Sequence, residues 1–347
     1  MAKQAGGRPR GGSGGGRARA TRGGGRVKSV AGGCEAPRVP PRTFHELLER
    51  ALAHAKKHGR PVMGVAAAED GCALGATHDA WRMGLITPVL IGDPRAVARV
   101  AKDEGVDIAK WRVVASPDAV TSCRTAVDLV RKGELDLLMK GKVQTADLMR
   151  AALDRENGIR AGSLMSHIAL LSTPEFGRIL CMSDGGIVLN PTLEDKVGII
   201  QNSVGAMHRL GWDCPKVAVV CAFELVNPKM QPTVDAAALA KMNERGQITG
   251  CVVDGPLGFD NAINELAAER KGVRSPVAGK ADLVVFSEID VGNVFYKALA
   301  FMTNTSEHAG VLVGAKVPIV MASRSDGAEI KRNSIAAGVV IAQAGKE

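Results

Sequence analysis

Short apolar runs alternate with segments of helical period along most of this chain. Nine runs read as strands: "PVMGVAAA", "PVLIGD", "LDLLMKG", "RILCMSD", "KVAVVCAFE", "GCVVDGP", "ADLVVFSE", "GVLVG" and "PIVMAS". They are mostly continuous rather than alternating, the pattern of strands covered on both faces in a largely parallel sheet. Between them lie helical patterns. "TFHELLERALAHAKKHG" predicts a helix with Thr43 as N-cap, Glu46 three residues on and Gly59 as its stop. The stretch 192–211 places Val197, Ile200, Val204 and Met207 on one face. Strands alternating with helices predict an α/β fold. Nine strands exceed what one compact sheet commonly holds, which points to two α/β domains.

Nearly every predicted strand runs out into a polar or glycine-rich cluster. These are Lys140-Gly141-Lys142, Ser183-Asp184-Gly185-Gly186, Glu224 with Asn227-Pro228-Lys229, Asp254-Gly255-Pro256, Ser287-Glu288 and Ser323-Arg324. Ligands of open α/β sheets bind outside the carboxyl ends of the strands, so the clusters are expected to converge on one cleft. In "PIVMASRSDG", Ser323 or Ser325 can cap the following helix, whose free N–H groups favour an anion, and Arg324 adds a planar cationic fork suited to phosphate. A plain N-cap beside a solvated arginine explains the same residues. "MKGKVQTADLMRAAL" repeats the logic with Lys140, Thr145 and Arg150, without the spacing of a P-loop. Two cationic strand-to-helix junctions favour a phosphorylated or CoA-like ligand. Ser166 and His167 are sequence neighbours and so no triad; a structural turn with a hydrogen-bonded histidine accounts for them. Asn227, Lys229, Thr233 and Asp235 surround a proline-marked loop that can line a cleft or merely cap a helix.

Composition changes the picture at one end. The net charge of +9 would suggest a nucleic-acid binder, yet residues 1–40 hold nine Lys and Arg against the single acid Glu35. The remaining 307 residues carry 36 basic and 35 acidic side chains and are nearly neutral. With 12 glycines and few apolar residues, the tail cannot offset its ordering entropy and is expected to be disordered, with weak non-specific nucleic-acid contact its one suggested use. There is no apolar run long enough for a membrane span or a signal peptide. The seven cysteines show no CxxC pair and the histidines no HExxH spacing, which suits a reducing, cytoplasmic setting and argues against a disulfide framework or a metal site.

Several longer stretches resemble the phosphate acetyl/butyryltransferase family over roughly residues 42–345. They are "LMKGKVQTADLMRAAL", "SDGGIVLNPTLEDK", "VNPKMQPTVDAAALAKMNERGQITG", "VDGPLGFDNA", "SPVAGKADLVV", "DVGNVFYKAL" and "GAKVPIVMASRSD". The third and fourth look most like the butyryl branch. The resemblance implies two three-layer α/β domains of the isocitrate/isopropylmalate-dehydrogenase kind with an interdomain cleft. One domain would be 41–160 plus 313–347 and the other 161–312. It also implies reversible conversion of acyl-CoA and phosphate to acyl phosphate and CoA, with CoA as substrate and no cofactor or metal, in a homodimer or larger homo-oligomer. Ser323 and Arg324 match the family's phosphoryl-holding pair, and Arg150 its arginine after the "TAD" signature. Asp326 joins them as the acid of the butyryl pattern, since the acetyl branch's base position is Ile330 here, and the identity of the base stays open. The acetyl branch also has a cysteine where this chain has Gly185. Lys140, Thr145, Arg150, Ser166, His167, Asp184, Asn227, Lys229 and Asn293 complete the expected substrate site. A NAD-dependent decarboxylating dehydrogenase of the same fold, a non-catalytic CoA- or nucleic-acid-binding protein and a phosphate acyltransferase acting on acyl carrier protein are the rival readings.

Overall fold

The computed structural model describes residues 39–174, 176–303, 307–322 and 326–344; the expectations for residues 1–38 and for Ser323 and Arg324 lie outside them. The first part of the chain runs α1 (Phe44–His58), β1 (Val62–Ala66), α2 (Gly71–Met83), β2 (Thr87–Gly92), α3 (Pro94–Asp103), β3 (Arg112–Ala115), α4 (Ala119–Arg131), β4 (Leu137–Lys140) and α5 (Thr145–Ala152). The middle follows as β5 (Ser166–Ser172), β6 (Leu180–Ser183), α6 (Leu193–Leu210), β7 (Lys216–Val220), α7 (Gln231–Glu244), β8 (Val252–Leu257), α8 (Phe259–Ile263), α9 (Glu265–Arg270), β9 (Leu283–Val285) and α10 (Ile289–Met302). The chain closes with β10 (Glu307–Val313), β11 (Ile319–Val320) and α11 (Ala328–Gln343).

All nine predicted strands form. Two more, β3 and β5, were not read from the pattern: β3 is a four-residue edge strand whose residues are at best half-buried, and β5 begins with the Ser-His pair that looked like a turn. The sheet is also continuous where the count suggested separate sheets. Its order is β3-β2-β1-β4-β11-β10-β5-β6-β9-β7-β8. β1 to β4 and β11 are mutually parallel, as are β6 to β9; the two parallel blocks are spliced by the antiparallel pairs β11/β10, β10/β5 and β5/β6. A strand count cannot reveal such a splice, because antiparallel pairing across the middle lets one sheet carry both blocks.

Caps behave as the sequence dictates. The Thr43 hydroxyl accepts from Glu46 N at 3.2 Å, Glu46 reaches back one residue further than expected to Arg42 N at 2.7 Å, and Gly59 ends α1 at φ 84°. α6 begins with a reciprocal Thr192–Asp195 capping box and ends at Gly211 with φ 112°, where a side chain would be strained. The helix that ties the body together is α11. It packs on β4, β10 and β11 and against α1, α2 and α6, burying Ile335, Val339, Val340 and Ile341. Each such side chain contributes about 1.5–3 kcal/mol on full burial. α4 and α5 cover the other face through Cys123, Val127 and Leu148.

Candidate active site

A cleft of about 440 Å³ opens where the segments leaving β4, β6, β9 and β11 meet the start of β5. Its walls are Lys140, Val143, Gln144 and Thr145 from the β4–α5 junction, His167 from β5, Gly185 and Gly186 after β6, Asn293, Tyr296 and Lys297 on α10, and Met321 and Ala322 after β11. Lys140 ends its strand half-buried, and its Nζ donates to Gly141 O at 3.2 Å and Val143 O at 3.1 Å, fixing the bend toward α5. Gly141 is required at that bend, since a β-carbon there would lie 2.1 Å from the carbonyl oxygen of Ala67. The cleft wall therefore carries two lysines and no carboxylate among the described residues, an arrangement that attracts anions.

Asp184 is close to this wall but serves the backbone. Its Oδ1 accepts from Gly186 N at 2.6 Å and Ile187 N at 2.9 Å, and its Oδ2 accepts from His167 N at 2.8 Å. The carboxylate, only 3% exposed, pins the glycine loop to β5. The expected substrate-binding side chain is thus an anchor for the cleft wall. Asn293 donates through Nδ2 to Gly185 O at 2.9 Å and ties α10 to the same loop. At Gly185 a β-carbon would meet Met182 Cε at 3.0 Å and the Gly292 carbonyl carbon at 3.1 Å, so the close approach of α10 favours glycine there.

His167 is 8% exposed. Burial lowers its pKa from the ordinary 6.5, opposed by the neighbouring negative charges of Asp184 and Asp326. Asp326 is 6% exposed and stands behind the wall, with Oδ1 3.8 Å from Nε2 of the equally sealed His308. Tyr296 packs edge-on to both imidazoles, with ring centroids 5.2 Å from His308 and 6.4 Å from His167; burial and the Asp326 charge raise its pKa. Lys331 donates from Nζ to the backbone oxygen of Asp326 at 2.5 Å, holding the segment that follows Ser323 and Arg324 in sequence.

The structure brings Lys140, Thr145, His167 and Asn293 together on this wall, and ends β11 there three residues before Ser323. The remaining expected residues lie elsewhere. Arg150 is exposed, pairs with Asp147 at 2.6 Å and lines a separate groove of about 430 Å³ between α4 and α5 with Arg124. Ser166 is fully buried and accepts from Asn202 Nδ2 at 3.2 Å. Asn227 and Lys229 sit in the loop after β7, where Asn227 Oδ1 accepts from Lys229 N at 3.0 Å and Thr233 Oγ1 donates to Asn227 O at 3.1 Å. That loop, with the clusters at Glu224 and Asp254, belongs to the β7–β8 edge of the sheet and does not line the cleft. Tyr296 and Lys297 went unread, although they stand three and four residues after Asn293 on the same helix, the spacing that shares a face. Cys123 and Cys251 are buried and Cys221 is half-buried; burial pushes Cys123 and Cys221 up to about 11 and Cys251 to about 12, so these thiols stay protonated at neutral pH.

Residues 115–339 match the family model described as phosphate acetyl/butaryl transferase. The phosphate butyryltransferase of Clostridium acetobutylicum is 42% identical over 87% of this chain and 98% of its own length. The phosphate acetyltransferase of Thermotoga maritima is 43% identical over 85% of this chain and 99% of its own. Among solved structures, a branched-chain phosphotransacylase from Enterococcus faecalis superposes with a TM-score of 0.72 at 27% identity, over 81% of this chain and 99% of the other. Matching at this level over nearly the whole length of both relatives shows that this chain belongs to the phosphate acetyl/butyryltransferase family of acyltransferases.

Proposed function

We propose that this protein moves a short acyl group between CoA and inorganic phosphate, acyl-CoA plus phosphate giving acyl phosphate plus CoA, reversibly and by direct transfer. The observation that carries the reading is the cleft with Lys140, His167 and Lys297 on its wall, entered by the strand that precedes Ser323 and Arg324. Lys140 and Lys297 supply positive charge for phosphate, and Arg324 with Ser323 would complete its seat. Arg150 and Arg124, which line the groove between α4 and α5, suit the phosphate-rich nucleotide half of CoA. The chemistry asks for no resident metal or cofactor beyond CoA as substrate. Division into 41–160 plus 313–347 and 161–312, as in isocitrate/isopropylmalate dehydrogenases, is part of the same reading, with the antiparallel strands β5 and β10 at the join. So is a homodimer or larger assembly, supported by the apolar face that α10 exposes through Val291, Val294, Phe301 and Met302. Water-soluble substrates fit a cytoplasmic enzyme, and no helix of the described residues is long and apolar enough to cross a membrane.

The test is thiol release from acetyl-, butyryl- and longer acyl-CoAs with and without phosphate. CoA liberated only with phosphate supports the transfer, and the rate ranking reports acyl preference; release that ignores phosphate would refute it. Arg324→Ala should cost about 3–4 kcal/mol of transition-state stabilisation, the loss typical of a single oxyanion-site donor, with unfolding unchanged. Near-wild-type turnover in that variant would remove Arg324 from the site.

A further inference from the structure

Direct transfer needs a group that takes the CoA thiol proton. The thiol has a pKa near ~8.5 and is mostly protonated at neutral pH. Among the described acid–base groups near the cleft, Tyr296 on the wall is kept protonated by burial, Lys297 is a cation suited to phosphate rather than a proton acceptor, and three more are set aside by their partners or their place. The Asp184 carboxylate holds three backbone N–H groups. Lys140 donates to two carbonyls. Asp326 lies behind the wall beside His308. His167 remains. It is on the wall, more than nine-tenths buried, and its Nδ1 has no hydrogen-bond partner among the described residues. Leaving a buried ring nitrogen unpaired is costly unless something arrives to pair with it.

The ring is also held in one orientation. A β-carbon at Gly310 would come within 2.7 Å of its Nε2, and one at Gly186 within 3.3 Å of its Cγ, so two glycines form a slot for the imidazole. Its backbone N–H is bonded to Asp184 and its carbonyl accepts from Ser183 Oγ at 2.7 Å. The titratable and charged groups facing it are Asp184 from the loop after β6, Lys140 from β4, Tyr296 and Lys297 from α10, His308 from β10 and Asp326 before α11.

We propose that His167 is the general base of the transfer, with Asp326 a positioning residue that stabilises the imidazolium from behind Tyr296. This rests on the acyltransferase reading above. In the direction of thioester synthesis the CoA S–H bond breaks and its proton passes to the imidazole. The sulfur electron pair forms the C–S bond at the acyl-phosphate carbonyl carbon. The bond from that carbon to the phosphate oxygen breaks, its electrons leave on phosphate, and the imidazolium returns the proton to that oxygen. The reverse reaction protonates the departing CoA thiolate from the same ring. Burial keeps the imidazole neutral and ready to accept, while the two nearby carboxylates favour the charged form once the proton arrives.

The experiment measures thioester formation from acetyl or butyryl phosphate and CoA by the full chain, from about pH 4.5 to about pH 8, a range that includes a limb below the ordinary histidine pKa. The wild type should be nearly flat above the lowered histidine pKa. His167→Gln should be about 10²–10⁴-fold slower at neutral pH, and its rate should climb about tenfold per pH unit as CoA ionises by itself. Added imidazole should restore part of the rate of His167→Ala. Asp326→Asn, which leaves the ring in place, should move the acid limb to lower pH, because it removes a charge that raises the histidine pKa. A loss under tenfold in His167→Gln, or the same pH slope as wild type, overturns the assignment. If the glutamine variant does not fold, an unmoved limb in Asp326→Asn overturns it. A wild-type chain that transfers no acyl group refutes the acyltransferase reading itself, a result distinct from an active wild type with an indifferent His167.

Discussion

Asp184 gives the sharpest stability prediction. Replacing it with alanine orphans three backbone donors, His167 N, Gly186 N and Ile187 N, now satisfied at 2.8, 2.6 and 2.9 Å. The His167 N–H is sealed in the sheet and bears its full cost, about 1–3 kcal/mol for a buried unsatisfied donor. The two loop donors are half-buried and recover part of their bonding from water, so the sum comes to about 3–5 kcal/mol. Asp184→Asn retains one acceptor oxygen for the loop but turns an NH₂ toward the His167 N–H; the loss should be about 2 kcal/mol. Guanidinium unfolding followed through the three tryptophans measures both. The ordering wild type, Asn, Ala is the expected result, with kcat falling more than KM rises because the loop and the His167 backbone move together. Both variants lying within about 1 kcal/mol of wild type would show that the loop is not held by this carboxylate.

Two further predictions concern ion pairs outside the cleft. Lys196 and Asp235 join α6 to α7 at 2.6 Å, with side chains 6% and 11% exposed. Removing one partner by Asp235→Ala should cost about 3–5 kcal/mol, whereas replacing both by leucine or methionine should recover most of it; urea unfolding of the single and double variants compares them. On the surface, Lys271 bonds Glu224 and Asp260 and holds both carboxyls below their ordinary pKa values. A depressed carboxyl pKa stabilises the fold above the unfolded-state value and is lost as pH falls through the folded one. Lys271→Met should therefore flatten the fall in stability on the acid side of that range, and raise both carboxyl pKa values in an NMR titration.

The cleft was half legible in the sequence, and the missing half has a common cause. Lys140, Thr145, His167 and Asn293 were read because each lies at or near an element end, where α/β folds place chemistry. Asn227 and Lys229 met the same criterion and stand elsewhere, because β7 and β8 form one edge of the sheet. Ser166 differs from His167 by one residue and faces Asn202 instead of the cleft, the consequence of a period of two along a strand. Asp184 looked like a ligand-binding acid, yet its oxygens are consumed by the loop it belongs to.

By itself the sequence determined what local periodicity and caps control: the helices at Phe44–His58 and Leu193–Leu210, nine of the strands, and the family through its long motifs. Hydrogen-bond partners between strands far apart in the chain were decided only in three dimensions. Every buried strand offers the same edge of N–H and C=O groups, so an apolar run names no neighbour. The splice through β10 and β5, the slot that Gly186 and Gly310 make for His167, and the burial of Asp326 behind Tyr296 all follow from that pairing.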